Sequence, residues 1–144
     1  MAQVLFFIHG MWSTPATFDR LRARLEADGH TTRAPVLPWH DRDAGLPPPA
    51  ELGRVTIEDY ARFLVTEIEK LTAQGLAPPV IIGHSMGGLL AQIVAARVPN
   101  AGIVLLSTAA TATTAKSALS TLLHDFRLQR ELFKQGIKAG FLER

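Results

Sequence analysis

Short apolar runs alternate with amphipathic stretches along the chain. Val4 to Ile8 is a continuous apolar run closed by His9-Gly10, as expected of a strand buried on both faces. A helix pattern follows, with Phe18, Leu21 and Leu25 on one side, charged residues elsewhere and Gly29 as a stop. Residues 31–37 read as a weaker strand, which Pro35 demotes to an edge position because proline cannot donate to a ladder. Residues 38–55 read as a long loop, stiffened at Pro47-Pro48-Pro49. Thr56-Ile57-Glu58-Asp59 matches a capping box with Asp in place of the commoner Glu. The helix it opens has an apolar stripe of Ile57, Tyr60, Ala61, Leu64, Ile68 and Leu71, with Gly75 beyond its end. Val80-Ile81-Ile82 is a second buried strand, ending at Gly83, and an apolar helix from Leu89 to Val98 stops at Pro99-Asn100. Residues 102–106 form a fourth strand. Leu119, Leu122, Leu123, Phe126, Leu132 and Phe133 recur mostly at helical spacing over 116–135, which predicts one or two amphipathic helices.

The order β-α-β-α-β-α-β-α places the chain in the α/β class, as an open, mostly parallel sheet of about four strands flanked by helices. The length of 144 residues fits one domain with a genuine core, and 47% apolar against 19% charged residues is a globular composition. There are no cysteines, which excludes disulfide scaffolds, thiolate metal sites and a cysteine nucleophile. The net charge of +2 is too small to propose nucleic acid as a partner. Its basic excess sits in residues 116–144, with 6 basic and 3 acidic side chains. No run of apolar residues is long enough for a transmembrane helix, and Val4 to Ile8 lacks the flanks of a leader peptide, so a cytoplasmic location is expected by default.

The most informative stretch is Gly83-His84-Ser85-Met86-Gly87-Gly88. A strand ends there, a helix begins at once, and Gly83 and Gly87 flank Ser85 as G-x-S-x-G. The small residues let the chain turn within two or three positions. The turn pushes the hydroxyl of Ser85 clear of the backbone and leaves the Met86 N–H at a helix N-terminus, where negative charge is stabilised. The bland alternative is a tight turn with Ser85 as an N-cap. His9-Gly10-Met11-Trp12 follows the first strand, and loops after parallel strands meet at the sheet's C-terminal edge, where ligand sites form. Gly10 lets that loop bend so that the Met11 N–H can point at the same oxygen as the Met86 N–H, making an oxyanion hole. Trp12, Trp39 and Phe18 are candidates for a hydrophobic pocket, with core packing at least as good an account of Phe18.

The pairing of His9-Gly10-Met11-Trp12 with Gly83-His84-Ser85-Met86-Gly87-Gly88 resembles the α/β-hydrolase superfamily, in particular its smaller esterase- and lipase-like members. The resemblance covers roughly residues 3–110. It implies Ser85 as nucleophile, Met11 and Met86 as the oxyanion-hole amides, and a small-molecule acyl substrate with no cofactor or metal. It also implies a spatial strand order second-first-third-fourth. Residues 1–110 would then be the N-terminal part of the core, and 111–144 the start of a helical lid.

That family's triad runs Ser, then Asp or Glu, then His, each on a later strand or loop. No further strand pattern follows residue 107, so the family's acid and His have no counterpart here, and an N-terminal part of a larger serine hydrolase is expected. Among the histidines, His84 sits inside the turn and is expected to point into the fold, His9 to order the loops, and His40, near Asp41 and Asp43, to approach the site. His124 and its neighbour Asp125 cannot form a pair on one helix, because successive side chains diverge. Two other readings stay open: a non-catalytic binding module, and a module completed by a partner through the edge of strand 102–106. Self-association through that edge or the 116–135 stripe belongs with the latter.

Overall fold

The computed structural model describes residues 1–41 and 49–108. The expected lid-like segment 111–144, with the 116–135 stripe, His124 and Asp125, lies outside the described residues, as do Asp43 and Pro47-Pro48.

Among the described residues four strands form one sheet: β1 (Val4–Ile8), β2 (Thr31–Arg33), β3 (Val80–His84) and β4 (Gly102–Leu106). Their order is β2-β1-β3-β4 and every pairing is parallel, which is the arrangement the resemblance implied. The helices are α1 (Asp19–Ala27), α2 (Ile57–Ala73) and α3 (Met86–Ala95), with 3-10 turns at Pro15–Phe18 and Ala50–Arg54.

All five residues of β1 are buried, as the unbroken apolar run predicts for a strand covered on both faces. Side chains alternate between those faces. Leu5, Phe7 and Ile82 pack with Phe18 on one side, the rings of Phe7 and Phe18 lying 5.0 Å apart. Phe18 is therefore core and not pocket. On α2, Tyr60, Ala61, Leu64, Ile68 and Leu71 are buried as their spacing predicts. The capping box closes in full: the Asp59 N–H donates to the Thr56 hydroxyl, and the Thr56 N–H to the Asp59 carboxylate. The helix ends in a Schellman motif, with Gly75 at φ +79° and the Leu76 N–H bonded to the Leu71 carbonyl.

Four local expectations change. The strand predicted over 31–37 stops at Arg33, and its pairing with β1 ends at Phe6, because Pro35 has no N–H to continue the ladder. Leu21 faces solvent; the inward position on α1 goes to Arg22, whose Nε donates to the hydroxyl of buried Thr32 at 3.0 Å. The second buried strand runs to His84 and not to Gly83, and the helix after it starts at Met86, three residues earlier than its apolar pattern indicates. Both shifts have one cause: the reversal of direction is concentrated in the single residue Ser85. Among the described residues no helix is long and apolar enough to cross a membrane.

Candidate functional site

Ser85 is the hinge between β3 and α3. Its φ of 56° and ψ of −122° lie where residues with a side chain are rarely found. The conformation is held from three directions. The Ser85 N–H donates to the Leu106 carbonyl at 3.1 Å, the Gly88 N–H donates to the Ser85 carbonyl at 2.9 Å, and the Thr108 hydroxyl reaches that same carbonyl at 3.5 Å. Ser85 occupies the N-cap position, yet its side chain makes no capping hydrogen bond. The N-cap explanation for a serine here thus fails, and the hydroxyl of this half-buried residue is left for other work.

The glycines around it are required by close approach. A Cβ on Gly83 would come within 2.1 Å of the Gly87 carbonyl oxygen, and one on Gly87 within 2.1 Å of the Ile8 carbonyl oxygen. Gly10 corrects the sequence expectation. Positive φ among the described glycines belongs to Gly29, Gly75 and Gly102, so the bend at residue 10 does not depend on glycine's backbone freedom. Instead, a Cβ on Gly10 would sit 3.3 Å from the Cβ of Ser85 and 3.6 Å from Nδ1 of His84. The loop after β1 is therefore seated directly on the turn after β3. No protein acceptor takes the N–H of Met11 or of Met86 among the described residues.

The histidines divide by role. His9 is buried; the Leu37 N–H donates to its Nε2 at 3.1 Å, so Nδ1 carries the proton and donates to the Gly10 carbonyl at 2.8 Å. Burial pushes its imidazole below the ordinary value, against the Gly10 hydrogen bond and with the charge of His40 adding to the fall. This ring orders the loops, as expected. His40 does approach the site but is not free to act as a base: Nδ1 faces the Pro38 carbonyl at 2.9 Å and Nε2 the Met11 carbonyl at 2.8 Å. His84 is half-buried, and its Nδ1 is buried beside Gly10 without a hydrogen-bond partner among the described residues. Among the described residues no histidine ring is hydrogen-bonded to the Ser85 hydroxyl. Trp12 and Trp39 are both exposed, and each is the chain neighbour of one member of the Met11–His40 bond. No three His, Asp or Glu side chains gather as metal ligands would, among the described residues.

The contact of His40 with Met11, and the pinning of Ser85 by Leu106 and Thr108, have no counterpart in the sequence reading. Each runs to a backbone group, and backbone groups are the same at every position.

Solved structures share this architecture. An extracellular alpha/beta-hydrolase from a Paenibacillus species is 26% identical with a TM-score of 0.60, over 82% of this chain and 49% of that one. A pyrethroid hydrolase from Sphingobium faniae JZ-2 is 28% identical with a TM-score of 0.61, over 78% of this chain and 42% of that one. An N-acyl homoserine lactonase is 27% identical with a TM-score of 0.55, over 74% of this chain and 38% of that one. The chain thus spans half or less of the length of these solved relatives. Curated protein sequences yield no match to it. The model of the alpha/beta hydrolase family matches residues 5–143, nearly the whole chain. With the parallel order β2-β1-β3-β4 and a serine turn between β3 and α3, the chain belongs to the alpha/beta hydrolase family.

Proposed function

We propose that this chain carries the nucleophile and oxyanion-binding part of a serine hydrolase that cleaves a carboxylic ester or related acyl bond. Ser85 Oγ attacks the carbonyl carbon, and the resulting oxyanion accepts hydrogen bonds from the N–H groups of Met11 and Met86. The leaving group departs with a proton, and water then releases the acyl group from Ser85. Gly10, Gly83 and Gly87 supply the close approach, His9 and His84 flank it, and Trp12 and Trp39 line the entrance for an apolar acyl or alcohol group. The base that takes the Ser85 proton is supplied from outside the described residues.

One observation carries this reading: Gly10 is packed against Ser85, with the virtual Cβ of the first 3.3 Å from the Cβ of the second. A serine used for capping or packing would not need a second loop seated against its Cβ. The similarity to a lactonase at 27% identity supports the acyl class.

A fluorophosphonate probe tests it. Labelling of the chain is expected to be slow and to vanish in Ser85→Ala; labelling that persists in the variant would exclude Ser85. Turnover of p-nitrophenyl acetate that Ser85→Ala removes would show that the chain contains its own base. A second reading, a binding module that holds a carbonyl or an anion without turnover, is favoured by the lack of any histidine bonded to Ser85 among the described residues. Binding of a boronate near Met11 and Met86, with no fluorophosphonate labelling, would select it. Completion of the site by a partner along the exposed residues Ile103 to Leu105 of β4 would give turnover that depends on adding that partner.

A further inference from the structure

We propose that His40 is a positioning residue for the oxyanion hole, and that with His9 it clamps the two peptide planes that meet at Met11. The proposal rests on Met11 acting as an oxyanion donor under the serine-hydrolase reading.

The Met11 N–H belongs to the planar unit whose carbonyl is that of Gly10. The Gly10–Met11 peptide is trans, so the N–H and C=O of that unit point in opposite directions. Whatever fixes the Gly10 carbonyl fixes the Met11 N–H. His9 Nδ1 donates to that carbonyl at 2.8 Å, and the Ser13 N–H adds a second contact at 3.3 Å. The next planar unit carries the Met11 carbonyl, and its partner is His40 Nε2 at 2.8 Å. A neutral imidazole donates through one nitrogen and an imidazolium through both, so the Nε2–H tautomer or the charged ring makes this bond. With both flanking planes held, the two torsions of Met11 have little freedom left.

The anchor is itself rigid. The His40 N–H donates to the Leu37 carbonyl at 3.0 Å, and the Leu37 N–H donates back to His9 Nε2. The His40 ring lies 5.2 Å from that of His9 and meets the ring of Tyr60, on α2, edge-on at 5.6 Å. His40 and Tyr60 are both buried. Segment 37–40 thus ties the oxyanion loop to a helix that takes no other part in the site. A base would need a lone pair aimed at Ser85, and His40 turns both nitrogens to carbonyls instead.

Two substitutions separate positioning from packing. In His40→Gln the amide nitrogen lies near the place of Nε2 and can still reach the Met11 carbonyl. In His40→Asn it lies near the place of Nδ1 and cannot. The full 144-residue chain is used, and fluorophosphonate labelling of Ser85 is resolved into the limiting rate and the concentration for half-saturation. Loss of an oxyanion donor typically costs about 10²–10³ in rate, so partial misplacement in His40→Asn is expected to slow the limiting rate about tenfold or more, with half-saturation unchanged. His40→Gln is expected to stay within about threefold of the parent. In parallel, the ¹⁵N order parameter of Met11 is expected to lie near ~0.85 in the parent and in His40→Gln, and to fall below ~0.6 in His40→Asn.

Equal behaviour of the two variants in both readouts overturns the proposal. So does a low Met11 order parameter in the parent chain, which decides the matter even if His40→Asn does not fold. A parent chain left unlabelled at Ser85 overturns the serine reading instead, and the order parameters then judge the clamp by themselves.

Discussion

The carbonyl oxygen of Ile8, the last residue of β1, lies against Gly87, the second residue of α3, so closely that a Cβ there would come within 2.1 Å of it. This contact brings the helix that follows Ser85 up to the end of β1, where the His9–Trp12 loop begins. The obstructing atom is backbone, so no side-chain rotation relieves it. Gly87→Ala is expected to destabilise the chain by about 3 kcal/mol or more, at the upper end of what overpacking costs. Gly53, with nothing within 4 Å of its virtual Cβ, is the control; its alanine variant is expected within about 0.5 kcal/mol of the parent. Urea midpoints measure both, and equal midpoints would contradict the packing.

At Ser85 the stability of two substitutions separates capping from strain. Removal of a capping hydroxyl usually costs about 1 kcal/mol. The Ser85 side chain caps nothing, so Ser85→Ala is expected to leave the melting temperature nearly unchanged. Ser85→Gly removes the side chain from a backbone at φ 56° and is expected to gain stability, by about 1 kcal/mol. A loss in the alanine variant comparable to that of a cap would refute this.

The site geometry itself is probed at Gly10. A methyl group there would meet the Ser85 Cβ at 3.3 Å, a crowding that a shift of a few tenths of an ångström relieves. Gly10→Ala is expected to fold and to label at Ser85 about tenfold more slowly, since small misplacements are amplified in rate. Unchanged labelling would mean that the two loops do not act together.

His9 makes stability depend on pH. Its imidazole is held below the ordinary 6.5, chiefly by burial. The unfolded chain therefore binds this proton first as the pH drops, and stability falls from about 6.5 down to the lowered folded value. Above that window the contribution is fully present. His9→Gln is expected to flatten the pH dependence of the urea midpoint as the pH falls below about 6.5; a parallel profile would assign the acid sensitivity elsewhere.

Asp59 gives a second, more acidic window. The Thr56 hydroxyl and backbone N–H, together with Arg62, hold its carboxyl at about 2, down from 3.8. Its contribution is present above 3.8 and lost as the pH falls through about 2. Thr56→Ala is expected to move the Asp59 titration, followed by carboxyl ¹³C NMR, upward towards 3.8. A titration that stays near 2 would show that the backbone N–H of residue 56 and Arg62 suffice without the hydroxyl.

Much of this molecule was legible in its sequence. β1, β4, the stripe of α2 and the box at Thr56 and Asp59 follow from periodicity and near-neighbour hydrogen bonds, which are properties of a few consecutive residues. So does the serine flanked by glycines between an apolar strand and an apolar helix. The pattern of Phe18, Leu21 and Leu25 was less reliable, because Arg22 could bury its stem by bonding Thr32, a residue of another element.

The amino-acid pattern alone sets which residue types meet at the end of the sheet, and in what order the strands and helices come. The contacts those residues make come from the folded arrangement. Gly10 is required by the nearness of Ser85, 75 positions away, and not by its own torsions. His40 serves the Met11 carbonyl, 29 positions away, and turns no lone pair towards Ser85. Every residue carries the same carbonyl and N–H, so a bond to the backbone leaves no mark in the amino-acid pattern; it exists only once the chain has folded two distant segments together.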